Sequence, residues 1–145
     1  AQRRADPGWP PFEFDEENVD VRGDDVALAV GLTHDVAGGV RAYVQNRAPT
    51  IGRILHCRPR GSASQQSMVC GRHAWMLAES AVQQVRRLRE RGSGKGRLHL
   101  FIAGPNAFTF FLGQHQQALG PVLSYEWDFD GQRGGGYSLG LSVGA

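Results

Sequence analysis

The stretch RLHLFIAGPNAFTFFLGQHQQALGPVLSYEW, residues 97–127, decides the fold of this chain. It opens with the apolar run of residues 98–103 and closes with a second such run at residues 122–127. Both runs have the length and composition of buried strands. A Gly-Pro pair at each end of the intervening segment predicts a single helix between them. Because a crossover helix makes the two strands of one sheet parallel, the segment predicts a strand, helix, strand unit.

The rest of the chain repeats this alternation. The continuous apolar run of residues 26–32 predicts a central parallel strand, and the helical spacing over residues 36–45 predicts a helix after it. Similar patterns predict a strand at residues 50–57, a helix at residues 71–91, and a last strand at residues 137–143 behind a Gly-rich hairpin loop. The order predicts an α/β, Rossmann-like sheet, mostly parallel, with helices on both faces and an antiparallel C-terminal edge strand.

The chain of 145 residues suits one domain with a single core. Prolines near the start exclude a helix there, so we interpret residues 1–23 as an N-terminal linker segment whose aromatic side chains dock on a neighbouring surface. Residues 24–145 form the folded domain in this interpretation. Since the chain begins at Ala1 in Arg- and Pro-rich sequence, we expect it to be part of a longer chain.

Net charge, the length of the apolar runs and the number of cysteines exclude several classes of protein. A formal net charge of +2 does not predict a surface that coats DNA, although local arginine clusters can still meet a small anion. No apolar run approaches the roughly 18 residues that a membrane span needs, and no signal peptide is visible, so we expect a cytoplasmic protein without a membrane partner. Two cysteines are too few for a disulfide framework.

Three polar loops follow three strands of the predicted parallel sheet, whose carboxyl ends meet at one edge. Two of these loops run into helix N-termini, where free N–H groups favour phosphate, and the third carries arginines that match phosphate oxygens. Each loop alone is also explained as an ordinary cap, turn or solvated arginine. Together they predict a cradle for a nucleotide-like anion. The candidate ligand-binding residues are Thr33, His34, Asp35, Arg58, Arg60, Gly104, Pro105 and Asn106.

Catalytic and metal-binding patterns are weak. The sequence has no GxGxxG, GxxxxGK[ST] or GxSxG motif. His56 and Cys57 are adjacent on a predicted strand and would project to opposite faces, so they cannot easily join Cys70 and His73 around one zinc ion. Cys70 with His73 is a conceivable thiol and base, but an ordinary helix start explains the pair equally well. We therefore predict a binding domain with no catalytic residue, no metal site and no cofactor.

Several stretches resemble the C-terminal half of SAVED domains, which occur in bacterial antiphage effectors. They are VALAVGLTHDVAGGVRAYV, RLHLFIAGPNAFTFFLGQ, GPVLSYEWDF and YSLGLSV, and together they span residues 26–143. The shared features are a strand that ends in Thr-His-Asp, a proline turn into a helix with the Leu112-Gly113 pair, and a GPV-x-x-YE strand. Their order and spacing carry the resemblance more than any single piece.

The resemblance implies a CARF-like (CRISPR-associated-Rossmann-like) fold that recognises a cyclic oligonucleotide second messenger made by a partner synthase. It also implies that the ligand activates a fused or associated effector domain, such as a nuclease or protease, in CBASS-type antiviral defence, commonly through homo-oligomerisation. Such domains contain two fused halves. This sequence matches one half and shows no effector, so we expect the pocket to need a second SAVED half or a neighbouring subunit.

Two alternatives stay open from the sequence. The chain could be an enzyme of the same fold that cleaves the messenger it binds. It could also be an assembly module that stacks copies into rings or filaments without a ligand of its own.

Overall fold

The structure is a computed structural model that describes residues 11–20, 22–48, 50–60, 70–92, 95–104, 106–127 and 137–143. The strands are β1 (Phe12–Asn18), β2 (Asp25–Gly31), β3 (Ile51–Pro59), β4 (Leu98–Ala103), β5 (Val122–Trp127) and β6 (Tyr137–Val143). The helices are α1 (Ala37–Arg47), α2 (Gly71–Glu90), α3 (Asn106–Gly113) and α4 (Gln116–Leu119). The predicted Gly-rich hairpin loop before β6 lies outside the described residues.

The described strands form one sheet in the order β1-β3-β2-β4-β5-β6. Strands β3, β2, β4 and β5 are parallel to one another, whereas β1 and β6 pair antiparallel at the two edges. The predicted α/β sheet, mostly parallel with an antiparallel C-terminal edge strand, is therefore confirmed. Because β2 lies in the middle, its carboxyl end has the end of β3 on one side and the end of β4 on the other.

Strand β1 is a second antiparallel edge strand, which the linker interpretation of residues 1–23 did not foresee. Its sequence, FEFDEEN, contains only two large apolar residues, Phe12 and Phe14, and these alternate with acidic ones. Phe12 is buried and packs edge-on against the rings of Phe14 and Phe108. One apolar face against α3 is enough to hold an edge strand whose other face is polar.

The segment between β4 and β5 contains two helices, so the prediction of one helix is wrong. Helix α3 ends at Gly113, and α4 starts at Gln116 after a turn. In that turn the His115 N–H donates to the Leu112 carbonyl at 3.1 Å, a tighter pattern than the α-helix has. Helix α4 ends at Leu119 and is followed by Gly120, whose φ of +76° suits glycine.

The core has a layer on each side of the sheet, and strand β2 shows how the sequence assigns them. Its larger residues, Val26, Leu28 and Val30, belong to the layer formed with α2, and its alanines, Ala27 and Ala29, belong to the layer formed with α1. The small alanines allow α1 to approach the sheet closely. We call these two sides the α2 face and the α1 face.

No helix within the described ranges is both long and apolar enough to cross a membrane.

Candidate functional site

The three predicted loops begin at the same edge of the sheet. The N–H groups of Leu32 and Thr33 both donate to the carbonyl of Ala103, at 2.8 and 3.1 Å, and so join the end of β2 to the end of β4. On the other side, Val30 of β2 lies beside Cys57 of β3 in the parallel register. We call the edge formed by residues 32–35, 58–60 and 103–104 the rim.

The loop after β2 places a carboxylate at the start of helix α1. Asp35 Oδ1 accepts the Ala37 N–H at 3.0 Å in the turn that leads into α1, whose N-cap residue is Val36. Thr33 Oγ1 lies 3.0 Å from His34 Nδ1. His34 and Asp35 are exposed, and Thr33 is half-buried. The positive end of the α1 dipole is thus already matched by a negative side chain.

The loop after β3 supplies the guanidinium groups of the rim. Arg58 is 54% exposed, and its Nη2 lies 4.0 Å from Asp15 Oδ2, on a side chain that is 66% exposed. An ion pair this open to water contributes little and leaves the arginine able to bind another anion. Because side chains alternate along a strand, Arg58 shares the α1 face with His56. Arg60 is exposed just beyond the strand.

The loop after β4 begins at Gly104. A Cβ atom at Gly104 would meet Leu32 Cδ1 at 3.2 Å, so close packing between the two loops accounts for this glycine. Asn106 is the first residue of α3, and Pro105 lies outside the described residues. The structure therefore places this loop on the rim without assigning it a donor.

A cavity of about 390 Å³ opens at the rim between the start of α1, the end of β4 and the start of β6. We call it the rim cavity. Two of the predicted residues line it, His34 and Asp35. The other described lining residues are Val36, Gly39, Ile102, Ala103 and Tyr137, none of which the sequence analysis had singled out. Arg58, Arg60 and Gly104 are not among the described lining residues.

Tyr137 is the most distant of these missed residues in sequence. It is the first residue of β6 and lies opposite Trp127 at the carboxyl end of β5. Burial raises the pKa of Tyr137 to about 12, and its ring packs edge-on against Phe101 with 5.0 Å between ring centroids. The predicted antiparallel direction of β6 was the available signal, because it brings the start of that strand to the rim.

The family model of the SAVED domain, described as the SMODS-associated and fused to various effectors sensor domain, matches residues 1–143. The chain belongs to the SAVED family.

This SAVED domain has a curated relative, CD-NTase-associated protein 4 of Enterobacter hormaechei subsp. hoffmannii (strain UCI 50). The two are 39% identical over 121 residues, which are 83% of our chain and 24% of the relative. The chain thus spans about a quarter of the length of that protein.

Two solved structures share the fold of this SAVED domain. Both are of the Acinetobacter baumannii Cap4 SAVED/CARF-domain containing receptor, one with the cyclic trinucleotide 3'3'3'-cAAA and one with 2'3'3'-cAAA. The first has a TM-score of 0.63 and 17% identity, and covers 92% of our chain and 28% of the receptor chain. The second has a TM-score of 0.61 and 20% identity, and covers 91% and 27%. At these identities the likeness confirms the CARF-like fold.

A buried polar network lies at the edge of the sheet opposite the rim. His99 Nε2 lies 2.8 Å from Asp25 Oδ2, and His99 Nδ1 lies 2.6 Å from the Tyr125 hydroxyl. Burial lowers the pKa of His99, which outweighs the opposing effect of Asp25. A neutral imidazole that donates to Asp25 and accepts from Tyr125 satisfies both contacts. These contacts join β2, β4 and β5, so they give His99 a structural role.

The histidine and cysteine of strand β3 point to opposite sides, as predicted. His56 Nε2 lies 3.0 Å from Glu17 Oε1 on the α1 face, whereas Cys57 is fully buried in the layer with α2. Burial raises the pKa of the Cys57 thiol far above its usual range. Within the described ranges, no group of three or more His, Cys, Asp or Glu residues could hold a metal ion.

Proposed function

We propose that this SAVED domain binds a cyclic oligonucleotide second messenger at the rim and that binding activates an antiviral effector linked to it. The observation that carries the proposal is membership of the SAVED family over residues 1–143. The Cap4 receptor of the same fold was solved with two cyclic trinucleotides. A second SAVED half or a neighbouring subunit completes the pocket in this proposal.

The rim offers the chemistry that such a ligand needs. Arg58 and Arg60 are exposed and always charged, so they can donate to phosphate oxygens in a forked geometry. Ligands of open α/β sheets bind outside the carboxyl ends of the strands, which is where the rim lies. A ring with several phosphates can contact donors from more than one loop at once.

The direct test is isothermal titration of the intact protein that contains this chain, against a panel of cyclic di-, tri- and tetranucleotides. We expect heat with at least one ring and none with a linear oligonucleotide of the same bases. Chromatography of the recovered ligand then separates binding from cleavage, and an unchanged ring is expected. Absence of heat with every ring would contradict the proposal.

Activation through oligomerisation has its own measurement. Light scattering of the intact protein, with and without the ring that binds, is expected to show a larger particle only when the ring is present, because a bridging ligand stabilises the assembled state. Assembly of the same size without any ring would instead favour a module that assembles independently of a ligand.

A further inference from the structure

Among the described residues that line the rim cavity, Asp35 supplies a negative charge. Asp35 is exposed there, and its Oδ1 already accepts the Ala37 N–H at 3.0 Å. Its other oxygen, Oδ2, takes no part in that bond. A phosphate next to this carboxylate would be repelled, and one of the N–H groups at the start of α1, that of Ala37, already donates to Asp35.

The nearby cation of α1 does not reverse this charge. Arg41 holds Glu17 with two hydrogen bonds, from Nε at 2.8 Å and from Nη2 at 2.7 Å. Glu17, and more weakly Asp35, raise the pKa of Arg41. The described residues that line the cavity include no lysine or arginine.

The walls of the rim cavity suit a flat, mostly apolar group. Val36, Ile102 and Ala103 supply aliphatic surface, and Tyr137 supplies an aromatic one. Nucleobases bind proteins by stacking on such surfaces and by hydrogen bonds from their edges. A carboxylate accepts hydrogen bonds only, and it pairs with the exocyclic amino groups of bases.

We infer that the rim cavity accepts an amino-bearing base of the cyclic oligonucleotide, with Asp35 Oδ2 as acceptor for the exocyclic amine, and that the phosphates lie elsewhere, towards Arg58 and Arg60. This rests on the proposed function, since it divides the ligand between two parts of the same rim. The sequence predicts that the N-terminus of α1 binds phosphate, whereas in this inference it recognises a base.

The variant that tests the inference is Asp35→Asn. The amide oxygen of asparagine can still accept the Ala37 N–H, so the turn into α1 keeps this hydrogen bond while the negative charge is removed. The probe is cyclic tri-adenylate or, if the wild-type intact protein prefers another ring of the panel, that ring. Each probe is paired with an analogue in which hydrogen replaces the exocyclic amino groups, such as purine for adenine.

Loss of the charge-assisted hydrogen bond is expected to weaken binding of the amino-bearing ring by about fivefold or more. The analogue is expected to bind wild type and Asp35→Asn with affinities within roughly twofold, because it has no amine to donate. Asp24→Asn is the matched control, since Asp24 is an exposed aspartate at the opposite edge of the sheet. It is expected to leave both affinities unchanged.

Two results would overturn the inference. Tighter binding of the amino-bearing ring by Asp35→Asn would mean that a phosphate faces this carboxylate. Equal weakening of both rings would mean that Asp35 contacts a sugar hydroxyl or supports the fold. If the wild type binds no ring at all, the proposed function fails first, so the two failures are distinguishable.

Discussion

At the scale of single residues, Glu17 joins three elements through one carboxylate. It lies on β1 and accepts hydrogen bonds from Arg41 of α1, at 2.7 and 2.8 Å, and lies 3.0 Å from His56 Nε2 of β3. The hydrogen bonds from Arg41 lower the pKa of Glu17 from 4.5 to about 2, against the opposing effect of burial. Glu17 therefore ties the edge strand to the helix whose start carries Asp35.

Glu17→Gln is expected to lower the free energy of unfolding at pH 7 by about 1–3 kcal/mol, because it removes the charge that holds Arg41. Chemical denaturation measures this. Glu13→Gln is the control, since Glu13 is an exposed acid on the same strand, and a change within about 0.5 kcal/mol is expected. Equal losses of unfolding free energy in the two variants would show that the contact between Glu17 and Arg41 adds no stability of its own.

The same carboxylate gives a pH dependence with a definite sign. The unfolded chain takes up the proton near pH 4.5, whereas the folded chain holds it off until about pH 2. The stabilisation by Glu17 is thus complete above pH 4.5 and is lost as the pH falls towards 2. The free energy of unfolding of the wild type is expected to fall more steeply than that of Glu17→Gln over this range. Parallel pH profiles for the wild type and Glu17→Gln would contradict the assignment of this pH dependence to Glu17.

His99 adds a second pH dependence at higher pH. Burial lowers its pKa from 6.5 in the folded chain, so the unfolded chain takes up the proton first. Acidification below pH 6.5 is therefore expected to reduce the free energy of unfolding, and His99→Gln is expected to flatten the profile below that pH. Denaturation at a series of pH values checks this, and an unchanged slope in the variant would contradict it.

At the scale of elements, the turn between β1 and β2 packs against strand β3 backbone to backbone. The Gly52 carbonyl accepts the N–H groups of Val19 and Asp20, at 2.9 and 3.1 Å. A Cβ atom at Gly52 would collide with the backbone of Gly23 and Asp20. This contact requires glycine because the two chains approach more closely than a side chain allows.

Gly52→Ala is expected to lower the free energy of unfolding by about 1–3 kcal/mol, since neither backbone can move away cheaply. Gly38→Ala is the matched control: a Cβ atom at Gly38 in α1 meets nothing within 4 Å. That change is expected to stabilise the chain by up to about 1 kcal/mol through helix propensity. Thermal unfolding compares the two, and effects of the same sign would contradict the packing argument.

The elements also show how far the sequence alone determines this structure. Strands with continuous apolar runs, such as β4 and β5, have their predicted boundaries because burial on both faces leaves a clear pattern. Strand β1 was missed because an edge strand has only a few inward-facing residues, here Phe12 and Phe14. The break after α3 was missed because its cause is a local turn at Gln114 and His115 rather than a proline.

At the rim, the sequence predicts where the three loops lie but does not predict the cavity. Three loops at one edge follow from the parallel direction of β3, β2 and β4, which the sequence predicts. The cavity does not follow, because its wall combines the end of β4 with Tyr137 from a strand far along the chain. Only the pairing of β5 with β6 brings that residue to the rim.

At the scale of the whole molecule, the rim separates two kinds of chemistry. Arg58 and Arg60 form an open, positively charged part, whereas Asp35 and apolar walls form a concave part next to α1. A cyclic oligonucleotide has the complementary division into phosphates and bases. The 121 residues that align with the curated relative are 24% of that protein, so most of its length lies outside the match.

The measurement that tests this account most directly is titration of the intact protein with the ring that it binds best, comparing wild type with Arg58→Ala and Arg47→Ala. Arg47 is an exposed arginine in the last turn of α1, at the opposite edge of the sheet. We expect Arg58→Ala to weaken binding by about tenfold or more and Arg47→Ala to leave it unchanged. Equal affinities for all three proteins, or no binding by the wild type, would contradict ligand recognition at the rim.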